Sequence, residues 1–393
     1  MAQRAYAPSW YIGRTRDTYA PVFYCPITPA YNNCPTGIVI TGQPGSGKTN
    51  FGLTMTAQLT IAGGTSIVVD HKGDFLSLVG LKDEIGSMNL WNLGDARREG
   101  FLDPFRLTND KGRQLNYALT TIGMFVGGLD KDEESIVAPI IRDVADTPSP
   151  TLTAVVQKLR SSPSRIAFNL GNKLGIIKDL PFARVAFASQ KTRGRPKLNS
   201  GLTVIATQGL EFPKTKEEAV GEHSTSSGRL ATGVLYLIAQ MISNLLHSDN
   251  SDNPKLVFFD EAWALVISPD GARLIKELAL LGRSKGLALV LATQQASHLQ
   301  EVDISSAIST WFAFNASVDE APNLTKQFRL PEDQGFEGIF TSQPVGSCVM
   351  KDFKGRVAPI SIDNWNPKWA KAFDTNPLAQ RARRKEQREE SED

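Results

Sequence analysis

Short runs of apolar, mostly β-branched or aromatic residues alternate along this chain with stretches whose apolar positions recur at helical spacing. The runs at 37–41, 66–69, 202–206, 255–259, 287–291 and 310–314 predict strands buried on both faces. Between them, 50–59, 229–247 and 271–281 predict helices. Strands alternating with helices imply an α/β fold with a mostly parallel sheet covered on both sides. Ahead of this core, 10–14 and 21–24 predict two short edge strands. Behind it, 346–350 and 356–360 predict a final pair.

From residue 111 to 187 the strand pattern stops. Helical periodicity takes over at 114–126, 133–145 and 152–161, which predicts an all-helical insertion. The chain therefore divides into lead-in strands (1–36), a core in two pieces (37–110 and 188–364), the insertion (111–187) and a polar tail (365–393) expected to fray. The most apolar helical stretch, 233–246, reads as too short to cross a bilayer, and Gln240, Ser243 and Asn244 interrupt it. With no secretory signal at the start, a soluble, cytoplasmic protein is expected.

Composition narrows the chemistry only a little. The 393 residues are 41% hydrophobic and 21% charged, ordinary for a globular protein. A net charge of +2 leaves any nucleic-acid surface to local patches. One such patch is the basic, turn-rich loop 190–197, for which contact with nucleic acid or a partner and a plain solvated loop remain alternatives. Three cysteines (Cys25, Cys34, Cys348) lack paired spacing, and four scattered histidines form no metal constellation.

The candidate chemistry begins at Gly42-Gln43-Pro44-Gly45-Ser46-Gly47-Lys48-Thr49, which fits G-x-x-x-x-G-K-[ST] without substitution, between a strand and a helix. Glycines let successive backbone N–H groups point at phosphate oxygens, and the following helix adds its positive end. Lys48 is placed for the β- and γ-phosphates of ATP and the Thr49 hydroxyl for Mg2+, with Asn50 completing the cradle. The strand at 255–259 then runs into Asp260 and Glu261. Asp260 is placed to hold the metal, directly or through water, and Glu261 to polarise the attacking water. Gln294, just past the 287–291 strand, is a candidate phosphate sensor or water-positioning group. Arg283 is a candidate charge-stabilising arginine supplied across a subunit interface, or else a helix C-terminal cation. Arg356 is a second arginine candidate.

Together the phosphate loop, Val69-Asp70-His71-Lys72-Gly73-Asp74, Leu102-Asp103-Pro104-Phe105, Phe259-Asp260-Glu261-Ala262-Trp263, Gly282-Arg283-Ser284-Lys285-Gly286 and Ala292-Thr293-Gln294-Gln295 resemble one family. It is the ATPase domain of conjugative type IV secretion motors (the VirB-four, TraC and TrbE group), within the HerA/FtsK class of P-loop ATPases. The resemblance implies a RecA-like core with a helical insertion, a homo-oligomer such as a hexamer, and ATP held between subunits with Arg283 acting in trans. It also implies other secretion-channel subunits as partners and a place at the cytoplasmic face of the inner membrane, reached peripherally through those partners. The family's separate docking domain is absent from these residues. The competing readings are a HerA/FtsK-like or coupling-type DNA pump, with DNA as partner, and a nucleotide-gated structural subunit.

Overall fold

Seven of the strands run parallel, and all but the one at 88–92 lie where the chain's apolar runs leave little polar face to expose. The computed structural model describes residues 9–189, 192, 194–213, 218, 224–249, 251–261, 263–300, 304–331, 334–364 and 366–374. In chain order the strands are β1 (Trp10–Thr15), β2 (Pro21–Tyr24), β3 (Gly37–Thr41), β4 (Thr65–Asp70), β5 (Met88–Asn92), β6 (Gly201–Ala206), β7 (Lys255–Phe259), β8 (Leu287–Thr293), β9 (Ile308–Phe314), β10 (Ser347–Lys351) and β11 (Val357–Ile362). They form one sheet in the order β2-β1-β11-β10-β9-β3-β8-β7-β4-β6-β5. From β9 to β5 every pairing is parallel. The remaining four strands extend the sheet antiparallel beyond β9.

Strand periodicity divides the interior into two cores. Val39, Val69, Val257 and Leu289 point to one face, which the helix Ser226–Ser248 and the helices of the 111–187 region cover. Ile38, Ile40, Val68, Phe258 and Val290 point to the other, against the helix Lys48–Ile61. That helix lies close: a Cβ on Gly52 would come within 2.5 Å of the Phe258 ring.

Three differences from the sequence expectations have clear causes. β5 was not expected, because Asn89 and Asn92 break its apolar run; it pairs only with β6, burying Trp91 and leaving Leu90 exposed. β1 is not an edge strand, since β11 pairs along one side and β2 covers the other. The apolar stretch at 233–246 belongs to a helix of 23 residues, long and apolar enough to cross a membrane by length and composition. Its most apolar window is 83% buried inside the fold, so its hydrophobicity is already met by the sheet and its helical cover.

Four helices fill residues 111–178: Lys111–Val126, Lys131–Ala145, Leu152–Arg160 and Arg165–Lys178. Each begins at a side chain that accepts from a first-turn N–H (Asp110, Asp130, Thr151 and Ser164), which satisfies donors the helix itself leaves open. Asp103 ties both ends of this region to the core. Fully buried, it accepts from the N–H groups of Phe105 at 3.1 Å, Leu152 at 2.9 Å and Ala188 at 2.8 Å. Burial pushes its carboxyl up to about 7, while the three N–H bonds pull the other way.

Asp103→Ala would strand three buried donors, each costing on the order of 1–3 kcal/mol. We expect a loss of about 3 kcal/mol, read as a lower denaturant midpoint. A change below about 1 kcal/mol would show that Asp103 is no clamp.

Candidate active site

The phosphate loop connects β3 to the helix Lys48–Ile61, at the carboxyl edge of the parallel block. That edge is where open α/β sheets gather ligands. Gly42, Gly45 and Gly47 take φ of 144°, 75° and 110°, a region closed to most side chains. A Cβ on Gly42 would also lie 2.8 Å from the Cβ of Phe314 at the end of β9. The loop is pinned from outside, with Gln43 N–H donating to Asn315 O at 2.7 Å and Gly346 N–H to Ser46 O at 2.9 Å. Inside the loop, the Ser46 hydroxyl donates to Gln43 O at 2.7 Å.

The helix Lys48–Ile61 has no side-chain cap, unlike the four helices of the insertion, so its first-turn donors remain for an anion. Lys48 Nζ donates to the carbonyls of Gly42 at 2.5 Å and Gln43 at 2.8 Å. Burial, helped by the charge of Lys72, pushes it down to about 8. Thr49, Asn50 and Pro44 line the same cavity of about 770 Å³, roofed by Val345, Gly346 and Phe373. Asn50 also donates to Phe373 O at 3.1 Å. The space is of the size class that small-molecule sites occupy.

β3, β8 and β7 are consecutive in the sheet, about 4.8 Å apart, so residues just past the end of one strand meet those past its neighbours. Lys48 and Thr49 come after β3, Gln294 after β8, and Asp260 and Glu261 after β7. Glu261 is buried and takes the left-handed conformation, φ 61°, a strain that a non-glycine residue holds only when its surroundings enforce it. Three donors do so. Lys72 Nζ reaches Glu261 Oε1 at 2.7 Å, Gln294 Nε2 reaches the same oxygen at 3.0 Å, and Trp263 Nε1 reaches Oε2 at 3.2 Å. Burial alone would raise the Glu261 carboxyl, but Lys72, Gln294 and Lys48 outweigh it and hold it below its ordinary value.

Asp260 differs. Burial pushes it up to about 7 despite Lys72, and its Oδ2 has no hydrogen-bond partner among the described residues. An orphaned buried carboxylate oxygen beside a phosphate cradle fits a magnesium ion or its water. No cluster of three or more His, Cys, Asp or Glu that could hold a metal occurs among the described residues. Magnesium bound by one carboxylate, one hydroxyl and substrate phosphates needs none. Asp260 and Thr49 are the residues that would hold it.

Lys72 was not singled out by sequence, although it lies in the polar run after β4. Its ion pair with Glu261 spans 189 positions. Asp70 shapes that turn by accepting from Gly73 N–H at 2.9 Å and Phe75 N–H at 3.1 Å. His71 stacks on Phe212 with ring centroids 4.0 Å apart.

The arginine candidates lie elsewhere. Arg283 sits in the last turn of the helix Pro269–Lys285, just before β8 begins. Its side chain falls outside the described residues. The neighbouring Gly282 packs against Thr36 at the amino end of β3, so this turn is the length of that five-residue strand, about 17 Å, from the phosphate loop of its own chain. Arg356 is also remote, in the turn between β10 and β11, and Asp352 occupies it at 2.6 Å. Within the basic loop, Gln190, Lys191 and Arg193 lie outside the described residues, as does Ala262.

Known proteins place this arrangement. Residues 28–373 match the family described as AAA-like domain. The uncharacterized protein YddE of Bacillus subtilis (strain 168) is 21% identical over 221 residues, 56% of this chain and 26% of that protein. The match thus spans about a quarter of that relative's length. Among solved structures, VirB4 of Thermoanaerobacter pseudethanolicus is similar with a TM-score of 0.73 at 12% identity, covering 92% of this chain and 97% of that one. The plasmid coupling protein TrwB in complex with the non-hydrolysable GTP analogue GDPNP gives 0.60 at 15%, covering 92% and 98%. The unbound form of TrwB gives 0.60 at 13%, covering 91% and 89%. These likenesses describe a shared fold, a P-loop α/β core with a mostly parallel sheet. With all but its ends covered by the family match, the chain belongs to the AAA-like domain family.

Proposed function

We propose that this chain is an ATP-hydrolysing motor subunit of the type IV secretion and conjugation kind, using Mg2+ and working as a homo-oligomer, with a hexamer as the expected form. The observation that carries this reading is the meeting of Lys48, Asp260, Glu261 and Gln294 at the carboxyl ends of three adjacent strands. The phosphate loop and helix end bind the triphosphate. Asp260 and Thr49 hold magnesium, and Glu261 takes the proton of the attacking water. Gln294, already touching Glu261, changes its contact when the γ-phosphate leaves.

The similar folds named VirB4 and coupling protein TrwB support a role in channel assembly or substrate transfer. That role sets the chain at the cytoplasmic face of a membrane through partner subunits. The division into lead-in, two-piece core, insertion and tail belongs to the same reading. The test is ATPase rate measured against oligomeric state, with and without DNA. A chain that oligomerises, binds ATP and never turns it over would leave a nucleotide-gated structural subunit instead. Stimulation by DNA that falls steeply with salt would favour a DNA pump.

Arg283 is distant from its own phosphate loop, so any part it takes in hydrolysis is in a neighbour's site. Arg283→Ala and Glu261→Gln subunits, each inactive alone, are therefore expected to regain a fraction of wild-type turnover when mixed. Such a mixture contains interfaces with both residues intact. No recovery in verified mixed oligomers would remove Arg283 from the mechanism.

A further inference from the structure

Gln294 and Gln295 are exposed, so packing alone does not fix where the Gln294 amide points. Within their own turn, Thr293 Oγ1 donates to Gln295 O at 3.1 Å, and Gln295 N–H reaches that hydroxyl at 3.4 Å. Both bonds are long for their kind. Yet Gln294 Nε2 stands 3.0 Å from Glu261 Oε1, close enough to orient it.

A firmer hold comes from two strands away. Glu320 lies beyond the end of β9, and β3 stands between β9 and β8, so the segment after β9 reaches across about 10 Å of sheet. Glu320 is buried, 7% exposed. Its Oε2 accepts from the N–H groups of Ala296 at 2.9 Å and Ser297 at 3.2 Å, and its Oε1 from the Ser297 hydroxyl at 2.5 Å. Burying a carboxylate is costly unless donors fill it. These three donors all belong to the two residues that follow Gln295.

The other end of the same segment holds the phosphate loop. Asn315, next after β9, accepts from Gln43 N–H at 2.7 Å through its carbonyl, and its Nδ2 lies 3.4 Å from Gln43 Oε1. Residues 315–320 therefore fix the triphosphate cradle and the Gln294 turn in one frame. We propose that Glu320 is a positioning residue for ATP hydrolysis, clamping the turn after β8 so that Gln294 orients Glu261. Glu320 acts through that turn and not on the nucleotide, and its role rests on Glu261 being the base.

The test compares Glu320→Ala, Glu320→Gln, Gln294→Ala and the double variant Glu320→Ala/Gln294→Ala in the full chain. Glu320→Ala is expected to lose kcat by about ten- to hundredfold, the scale of a misplacement by an ångström, with KM for ATP within about threefold of wild type. Glu320→Gln should keep about a third or more of wild-type kcat. Its amide oxygen still accepts from both N–H groups, and its NH2 donates to the Ser297 hydroxyl. The double variant should be about as slow as the slower single one, as for residues that act as a unit.

Hydrogen exchange reads the clamp without turnover. In Glu320→Ala, exchange across 294–299 should quicken by about tenfold while that of β3 keeps its wild-type rate. Should Glu320→Ala fail to fold, Glu320→Asp, which withdraws the carboxylate by one methylene, carries the same expectations. Wild-type kcat in the clamp variant, or a loss that multiplies fully with that of Gln294→Ala, would overturn the proposal. So would unchanged exchange across 294–299. A wild type without turnover would defeat the hydrolysis reading instead, and the exchange rates would then judge the clamp by themselves.

Discussion

Glu261→Gln is expected to bind ATP within about threefold of wild type and to lose turnover by about 10²–10³-fold, the range that removal of a general base produces. The amide has nearly the same shape and still accepts from Lys72, which lies 2.7 Å from the carboxylate. The same oxygen accepts from Gln294 as well, and only the Trp263 bond to the other carboxylate oxygen is lost to the amide NH2, so the left-handed backbone and the cradle beside it should stay in place. What the amide lacks is the charge that takes a proton from water. Losing the ion pair itself costs little stability, because the Lys72 side chain is 42% exposed and solvent screens it. Steady-state phosphate release and titration with a fluorescent ATP analogue separate the two effects. Turnover within a few-fold of wild type would take Glu261 out of the role of base.

Lys48→Ala should be more severe, abolishing measurable turnover and weakening ATP binding by at least about thirtyfold, roughly 2 kcal/mol. The lost group is a half-buried cation in the phosphate cavity, and its two bonds to the loop carbonyls at 2.5 and 2.8 Å vanish with it. A pH signature accompanies this. Lys48 stands at about 8 in the protein without nucleotide, and an adjacent phosphate raises it. The bound state therefore holds more protons, and ATP affinity should fall as pH climbs above 8. In Lys48→Ala the residual affinity should be flat across that range. Calorimetry at pH 7, 8 and 9 measures both. A wild-type affinity that rises above pH 8 would contradict this account of Lys48.

The polar cluster around Glu261 shows why part of the site escapes a sequence reading. Gly42–Thr49 is legible because its requirements are local: glycines where φ is positive, a lysine and hydroxyl at set spacing, a strand before and a helix after. The buried strands are legible for the same reason, since a residue run hidden on both faces must be apolar throughout. Lys72 carries no such mark. It becomes a partner of Glu261 only because β4 pairs beside β7. Gln294 touches Glu261 because β8 lies between β3 and β7.

The sequence by itself determined the α/β alternation, the phosphate loop and the strand-end carboxylates, each a matter of neighbouring residues obeying backbone geometry and burial. Only the tertiary structure decided strand order, and with it which side chains meet. It set Lys72 against Glu261, left Asp260 with an unpartnered oxygen, put Arg283 a strand length from its own phosphate loop and occupied Arg356 with Asp352. It also buried an apolar 23-residue helix that length and composition alone would allow in a membrane. Hydrogen-bonded pairing and close packing between distant segments choose these contacts, and no short stretch of chain encodes them.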